Sequence, residues 1–238
     1  MSARVALEDL KSFANKGRVS DLARFYKTAP GEYGEGDLFL GGSVPQTRSV
    51  AKKQQNLELP EIEKLFNSPF HEARLCAAII LNLQFKAAKK TQDRKKIFDF
   101  YLKQVRAERV NNWDIVDVSA PWMGVYLTEV KDPMALLIKF AKSKSLWQRR
   151  VSIILTFALI RDGYLEPTIA ISKALLKDDQ DLIHKAVGWM LRELGKKDVM
   201  LLRKFLTDHS HQMPRTMLRY SIEKLPEHER KKWLVESR

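Results

Sequence analysis

Trp113 and Asp117 combine a large aromatic ring with a carboxylate at a spacing of four residues. Residues four apart lie one above the other on an α-helix, so both side chains would project from one face. A large aromatic ring that points away from its helix's own core, with a carboxylate one turn below, is not explained by packing within that helix. We interpret this face as a surface that meets a partner. The alternative is that the aromatic ring packs against a neighbouring element of the same chain.

The helix that must carry this pair is predicted over 112–126 and begins at an Asn cap. At about 100° per residue, its apolar side chains form one stripe on the side opposite to the pair. That stripe is predicted to contain Ile115, Val118, Trp122 and Val125. Pro121 cannot donate a hydrogen bond to the carbonyl four residues earlier, which belongs to Asp117, so we expect a local irregularity there.

A second tryptophan that lies off the apolar face is predicted in the helix over 180–195. The core stripe of this helix is predicted to be Ile183, Val187, Met190 and Leu194. Lys185, Trp189 and Arg192 cluster on the opposite side. This face therefore combines an aromatic ring with two cations.

A third tryptophan, Trp147, is predicted to be a core residue of the helix over 145–161. It shares one stripe with Val151, Ile154 and Ala158. Arg150 lies at the margin of that stripe beside Arg149, where a guanidinium group could bind a phosphate with two hydrogen bonds. An ordinary surface salt bridge is the alternative for Arg150.

The charge balance favours a polyanionic partner. The 238 residues include 42 Lys and Arg against 29 Asp and Glu, which gives a net charge of +13 and a pI near 9.7. A merely basic soluble protein has the same composition, so charge alone leaves both interpretations open.

The single cysteine, Cys76, lies in an apolar helical run, so no disulfide can form within one chain. No segment approaches the roughly 20 apolar residues of a membrane span, and the N-terminus lacks the apolar run of a signal peptide. We expect a cytoplasmic, monomeric protein that does not bind membranes.

Helical periodicity dominates the chain, and no run of alternating apolar and polar residues is convincing. Helices are predicted over 3–15, 19–28, 45–56, 60–67, 70–88, 91–107, 112–126, 132–142, 145–161, 165–177, 180–195, 198–208, 214–224 and 226–235. The sequence therefore predicts an all-α protein, which we interpret as a single domain over residues 1–238.

A loose repeat begins near residue 70, where an apolar residue is followed four places later by a charged residue near the start of a long helix. The pairs are Phe70 and Arg74, Trp113 and Asp117, Leu146 and Arg150, and Asp181 and Lys185, the last without the apolar member. The charged members are 43, 33 and 35 residues apart. This spacing is typical of HEAT-type helix pairs that stack into a solenoid. A generic helical bundle is the alternative.

The one long non-helical segment, 29–42, is rich in glycine. No strand precedes it, no lysine follows at the P-loop spacing, and its three acidic residues would repel phosphate. We interpret it as an ordered connection anchored to the core by Leu38, Phe39 and Leu40.

Histidine and cysteine residues do not form a metal-binding pattern. His209 and His211 are close in sequence beside Asp208, but the other histidines are scattered and the lone cysteine has no partner. We expect neither a metal nor a cofactor. A hydrolytic Ser, His and Asp arrangement cannot be judged from one sequence.

Several segments together resemble the AlkD-type DNA alkylation repair glycosylases. They read Trp113-Asp114-Ile115-Val116-Asp117 with Pro121 behind it, Leu146-Trp147-Gln148-Arg149-Arg150, Lys185-Ala186-Val187-Gly188-Trp189-Met190-Leu191-Arg192-Glu193, Ala23-Arg24-Phe25, and Leu38-Phe39-Leu40-Gly41. The resemblance covers most of the chain, and the order and spacing of the motifs are more specific than any one of them. It implies a HEAT-like all-α solenoid that cradles duplex DNA containing alkylated bases.

The resemblance also implies roles for individual residues. Asp117 would be the catalytic aspartate, Trp113 and Trp189 the two groove tryptophans, and Arg150 the active-site arginine. The residues expected to contact DNA are Arg149, Lys185, Arg192 and Phe25. The family has tyrosine near the last of these positions, so any hydroxyl contact there is in doubt.

The function that follows is excision of cationic alkylated purines, such as N3-methyladenine and N7-methylguanine, by a monofunctional glycosylase in base-excision repair. A HEAT-like array can instead be a protein-binding scaffold, and a basic one can bind nucleic acid without cutting it. These two alternatives remain open on the sequence alone.

Overall fold

The computed structural model describes residues 1–236 and forms two compact units, one over Met1–Met123 and the other starting at Gly124. Both are built of α-helices. The β structure within the described residues is one isolated parallel bridge between Leu38 and Phe70. The prediction of an all-α chain is confirmed, whereas the single domain over 1–238 stays a prediction.

Seven α-helices form the first unit and seven lie in residues 124–236. The first seven are α1 (Ala3–Lys11), α2 (Lys16–Phe25), α3 (Val44–Lys53), α4 (Leu59–Phe66), α5 (His71–Ala87), α6 (Thr91–Arg106) and α7 (Trp113–Met123). The others are α8 (Met134–Ala141), α9 (Leu146–Asp162), α10 (Glu166–Ala174), α11 (Asp181–Lys197), α12 (Val199–His209), α13 (Arg215–Ser221) and α14 (Glu227–Glu236). Short 3-10 segments span Gly124–Glu129 and Ser210–Gln212. Each predicted helical segment overlaps one of these α-helices, and none of the helices in the described chain is long and apolar enough to cross a bilayer.

Helix α5 is the centre of the first unit. It packs against α1, α3, α4, α6 and α7, and nearly all of its side chains are buried. The buried set includes the polar residues His71, Glu72 and Arg74. Buried charged groups need partners, so the first turn of α5 must find them on neighbouring elements.

Helices α9 and α11 organise the second unit. Helix α9 packs against α8, α10, α11 and the 3-10 segment Gly124–Glu129, whereas α11 also packs against α12 and α13. Contacts between elements that are close in the chain are typical of stacked helical repeats.

Helices α11 and α13 approach each other closely at Gly188. A Cβ at this position would overlap the Tyr220 side chain and the Met217 carbonyl, which is backbone and cannot move aside. The residue must therefore be glycine for the two helices to pack as they do.

We expect Gly188→Ala to lower the free energy of unfolding by about 1–3 kcal/mol, because the added methyl forces α11 and α13 apart. Urea unfolding followed by circular dichroism measures this. Gly17→Ala, near the start of α2, is the control, because its Cβ would meet only the Asn15 side chain. A Gly188→Ala protein as stable as the wild type would contradict the close packing.

The segment 29–42 is anchored to the first unit, but not by all three residues predicted. Phe39 and Leu40 are buried, whereas Leu38 is 51% exposed. The prediction that the Leu38 side chain anchors the segment to the core is therefore wrong. Its backbone makes the contact instead, because Leu38 N–H donates to the Pro69 carbonyl (3.1 Å) and the Leu38 carbonyl accepts from His71 N–H (2.8 Å).

Candidate functional site

The buried face of α7 differs from the predicted stripe. Ile115 is buried as predicted, but Val118, Trp122 and Val125 are only half-buried. The core face consists of Ile115, Val116, Ser119, Ala120 and Met123. Ser119 can be buried because its hydroxyl donates to the Ile115 carbonyl at 2.6 Å. A polar residue can occupy the core face when its side chain makes a hydrogen bond within its own helix, and a prediction based on apolar residues alone then misses that face.

Trp113 and Asp117 lie outside this core face and are both half-buried. Burial and the nearby charge of Asp117 raise the pKa of the core phenol Tyr101 above its usual value. The carboxylate of Asp117 thus lies beside the core of the first unit. Pro121 has no N–H for the Asp117 carbonyl, yet α7 runs from Trp113 to Met123 and a 3-10 segment follows only after Met123. The irregularity expected at Asp117 therefore stays a prediction.

The indole of Trp113 belongs to a group of three aromatic rings. Tyr26 stacks on it with ring centres 5.7 Å apart and planes 23° apart. Phe25 contacts it edge-on at 5.8 Å. Phe25 is 60% exposed and Tyr26 is buried, so the phenylalanine ring and part of Trp113 face solvent while the tyrosine ring supports them from behind.

A buried polar cluster lies directly beneath these rings. The Tyr26 hydroxyl donates to Asp114 Oδ2 at 3.1 Å, and His71 Nε2 lies 2.9 Å from the same oxygen. His71 Nδ1 lies 3.3 Å from Asp37 Oδ2, and Arg74 Nη2 donates to Asp37 Oδ1 at 2.5 Å. The cluster therefore ties the segment 29–42, the end of α2 at Tyr26, and α5 to the first turn of α7.

The charges of this cluster compensate one another. Burial opposes protonation of His71, but Asp114 and Asp37 outweigh it and raise the His71 pKa from its ordinary value of 6.5 to about 9. Burial also works against ionisation of Asp37, yet the hydrogen bond from His71 and the charge of Arg74 hold its pKa below the ordinary value. Two cations and two carboxylates are thus paired in the interior.

We expect the free energy of unfolding to fall as pH rises through the His71 pKa. A histidine whose pKa is raised on folding stabilises the folded state fully below about 6.5, and this contribution is lost as pH rises through about 9. The shift corresponds to a loss on the order of 3 kcal/mol. Urea unfolding at pH 6.5 and pH 10 measures it, and His71→Gln should remove most of the difference. An equal pH effect in the variant would contradict this origin.

In the second unit, Trp147 is buried, and Val151, Ile154 and Ala158 share its stripe. The prediction that Trp147 is a core residue is therefore confirmed. Arg150 is buried as well, and its guanidinium donates to the Leu182 carbonyl in the first turn of α11. The contact links α9 to the helix that carries the second off-stripe tryptophan.

Helix α11 has the predicted division into two faces. Its predicted core stripe, Ile183, Val187, Met190 and Leu194, is fully buried. Trp189 is half-buried on the other side, with its ring centre 6.1 Å from that of Phe157. Lys185 pairs with Asp181 at 2.7 Å, and Arg192 pairs with Glu223 and, at 3.3 Å, with Glu193.

Arg149 is held by contacts within the second unit. It donates to both oxygens of Asp178, at 2.6 and 3.4 Å, and to the carbonyls of Ser143 and Lys144. Its side chain is 17% exposed. These bonds brace the loop before α9 against the loop before α11, and its predicted contact with DNA stays a prediction.

The structure groups the predicted site residues within each unit. The first unit holds Phe25, Trp113 and Asp117. The second holds Arg149, Arg150, Lys185, Trp189 and Arg192. The four charged members of the repeat, Arg74, Asp117, Arg150 and Lys185, all lie within the first five residues of a long helix, as the repeat predicts.

Sequence reasoning missed the residues that support Trp113. Tyr26 follows the quoted Ala23-Arg24-Phe25 by one position, so extending that motif by one residue could have found it. His71 and Asp37 carry no comparable signal. Trp122 was also misassigned: the Lys86 ammonium lies 3.4 Å from the centre of its ring, so the tryptophan that was predicted to be core instead supports a surface cation.

Comparison with known proteins assigns this chain to a class. The family model described as DNA alkylation repair enzyme matches residues 6–225. A solved structure described as a predicted DNA alkylation repair enzyme from Enterococcus faecalis is 15% identical, with a TM-score of 0.71 over 90% of this chain and 97% of that chain. The comparison with curated proteins gives no match.

A second solved structure is described as a new family of proteins related to the HEAT-like repeat DNA glycosylases with affinity for branched DNA structures. It is 14% identical, with a TM-score of 0.58 over 100% of this chain and 96% of that chain. The protein thus has an all-α, HEAT-like helical-repeat fold. With nearly its whole length matched by the family model, the chain belongs to the DNA alkylation repair enzyme family.

Proposed function

We propose that this protein is a monofunctional DNA glycosylase that removes cationic alkylated purines, such as N3-methyladenine and N7-methylguanine, from duplex DNA. The observation that supports this most is the position of Trp113 and Asp117 one turn apart on α7, outside its buried face. Membership in the DNA alkylation repair family supports alkylated bases as the substrate class. Initiation of base-excision repair follows from the reaction.

The proposed chemistry suits a carboxylate without a general acid. An N3- or N7-alkylated purine already carries positive charge, so cleavage of its bond to C1′ returns the bonding electrons to the base and neutralises it. The sugar is left as an oxocarbenium-like cation, which Asp117 stabilises electrostatically. Water then adds to C1′ and loses a proton. No metal or cofactor enters these steps.

The aromatic residues provide selectivity in this proposal. The face of an indole attracts a cation by about 0.5–2 kcal/mol. Trp113 is suited to this role because Tyr26 and Phe25 contact its ring at 5.7 and 5.8 Å and fix its orientation. Trp189 has Phe157 as its neighbour. A neutral purine would gain much less from the same contacts.

The cations hold the DNA backbone in this proposal. Lys185 and Arg192 pair with carboxylates on the surface, and such pairs are weak enough to exchange for phosphate. Arg150 and Arg149 already make hydrogen bonds within the protein. Arg150 donates to the Leu182 carbonyl, and Arg149 donates to Asp178. We assign Arg150 to the site through its link to α11, and Arg149 to phosphate binding near Asp178.

A second candidate function is DNA binding without excision. The solved structure described as having affinity for branched DNA supports it, because the likeness extends over 100% of this chain. A protein-binding scaffold is the third possibility, and it would show no salt-dependent affinity for DNA.

The test is release of free methylated purines from duplex DNA treated with a methylating agent, measured by chromatography with purified protein in excess. The glycosylase releases N3-methyladenine or N7-methylguanine at a rate well above spontaneous loss. Binding to duplex and four-way-junction DNA is measured in parallel at two salt concentrations. Salt-dependent binding with no release would refute the glycosylase in favour of the binder, and neither signal would favour the scaffold.

A further inference from the structure

Both ring nitrogens of His71 face carboxylates. Nδ1 lies 3.3 Å from Asp37 Oδ2, and Nε2 lies 2.9 Å from Asp114 Oδ2. The His71 side chain is 3% exposed, so bulk water cannot replace either carboxylate as a hydrogen-bond partner of the ring nitrogens. Asp37 also receives hydrogen bonds from Arg74 and Asn112.

Only the imidazolium form of histidine satisfies this arrangement. Ionised carboxylates accept hydrogen bonds and do not donate them, and a neutral imidazole has a single N–H. A neutral His71 would therefore face one of its two aspartates with a lone pair, in a site where an unsatisfied contact is costly. The geometry requires a proton on each nitrogen.

The same contacts lead from His71 to Trp113. Asp114 is the residue next to Trp113, and its Oδ2 accepts from both His71 and the Tyr26 hydroxyl. The Tyr26 ring contacts His71 with centres 4.4 Å apart and Trp113 at 5.7 Å. The backbone of α7 is held through Asp114, and the indole is held through Tyr26.

We propose that doubly protonated His71 is a positioning residue that fixes the indole of Trp113 and the first turn of α7. Asp117 lies one turn further along the same helix, so the position of this turn also affects Asp117. This consequence for catalysis rests on the proposed glycosylase function. His71 contacts no substrate; it acts through Asp114 and Tyr26.

Loss of the His71 proton should release this support. The charged and titratable groups around it are Asp37 from the segment 29–42, Asp114 from α7, Arg74 and Glu72 from α5, and Tyr26 directly after α2. Neutral His71 leaves Arg74 as the remaining cation near both aspartates, and Arg74 donates its hydrogen bond to Asp37 rather than to Asp114. The first turn of α7 and Tyr26 should then become mobile above pH 9.

The first measurement reads the position of Trp113 directly and needs no enzymatic activity. The five tryptophans are replaced with 5-fluorotryptophan, and the Trp113 ¹⁹F resonance is assigned with Trp113→Phe. We expect it to shift with a midpoint near pH 9 and to stay constant in His71→Gln. The Trp122 resonance is an internal control, because its ring contacts Lys86 rather than His71, and its pH dependence should be the same in wild type and variant.

A second measurement does not depend on the folding of a variant. The ¹⁵N shifts of the His71 imidazole in wild-type protein at pH 7.5 should show both nitrogens protonated. A neutral tautomer at this pH would overturn the proposal, as would a Trp113 resonance that does not move while His71 titrates.

The catalytic consequence is tested by measuring the excision kinetics of His71→Gln at temperatures where the variant is folded. We expect kcat to fall by about tenfold to a hundredfold, with little change in affinity for DNA. Ile62→Ala, a fully buried core variant of α4, is the control for lost stability alone and should keep its kcat at temperatures where it is folded. An equal loss of kcat in both variants, or unchanged kcat in His71→Gln, would overturn the positioning role.

These results separate the two proposals. Wild-type protein that releases no methylated purine would refute the glycosylase, and the ¹⁹F titration would still decide whether His71 positions Trp113. If the protein excises methylated purines but its Trp113 resonance does not shift when His71 loses its proton, the positioning role is refuted and the glycosylase function is supported.

Discussion

Asp117→Asn is expected to slow excision of N7-methylguanine by about 100- to 1,000-fold in single-turnover assays. The amide keeps the size of the side chain but removes the negative charge that, in the proposed mechanism, faces the developing sugar cation. Affinity for duplex DNA should be nearly unchanged or slightly higher, because a negative charge near the phosphates is lost. Fluorescence anisotropy with a non-cleavable duplex measures that affinity.

Two further aspartates separate the role of Asp117 from a loss of surface charge and from a loss of stability. Asp99→Asn removes a charge on the exposed surface of α6, where Asp99 pairs with Lys95, and should leave excision unchanged. Asp114→Asn disturbs the hydrogen bonds from Tyr26 and His71 and should lower stability by about 1–3 kcal/mol. An Asp117→Asn protein that excises at the wild-type rate would rule out the proposed role of this carboxylate.

Trp147→Ala is expected chiefly to lower stability, whereas Trp189→Ala is expected chiefly to slow excision. Trp147 is 6% exposed, so its truncation leaves a cavity and should lower the free energy of unfolding by about 3–5 kcal/mol. Trp189 is half-buried beside Phe157, so its truncation should affect stability less. The loss of its proposed contact with a cationic base should slow excision by about 2- to 30-fold.

Urea unfolding and single-turnover excision distinguish these effects, provided that excision is measured where both variants are folded. Folded Trp147→Ala should then excise nearly as fast as the wild type. A greater loss of excision in Trp147→Ala than in Trp189→Ala would mean that the two faces have been assigned the wrong way round.

Local periodicity predicted one helix face well and another poorly. In α11, all four predicted core residues are fully buried, because the stripe there consists of large apolar side chains whose spacing is unambiguous. In α7, the core includes Ser119 and Ala120, while Trp122 supports Lys86. Small and polar core residues weaken the periodic signal, so the predicted face was rotated from the true one.

The residues that position Trp113 could not be found from local patterns. Asp37 and His71 are 34 residues apart, His71 and Asp114 are 43 apart, and Tyr26 and Asp114 are 88 apart. Each of these residues is unremarkable within its own segment. The cluster forms only when four elements pack together. The helical periodicity of one segment carries no information about contacts with residues in distant segments.

By itself, the sequence determined the all-α architecture, the approximate extent of every helix, and the placement of Trp113 and Asp117 off the core of α7. These properties depend on side chains within one or two turns, which the 3.6-residue period connects. Only the tertiary structure decided that Leu38 points outward, that Tyr26 stacks on Trp113, and that His71 is enclosed by two carboxylates. Burial and the partners of a charge are set by distant parts of the chain, and they control the protonation of His71.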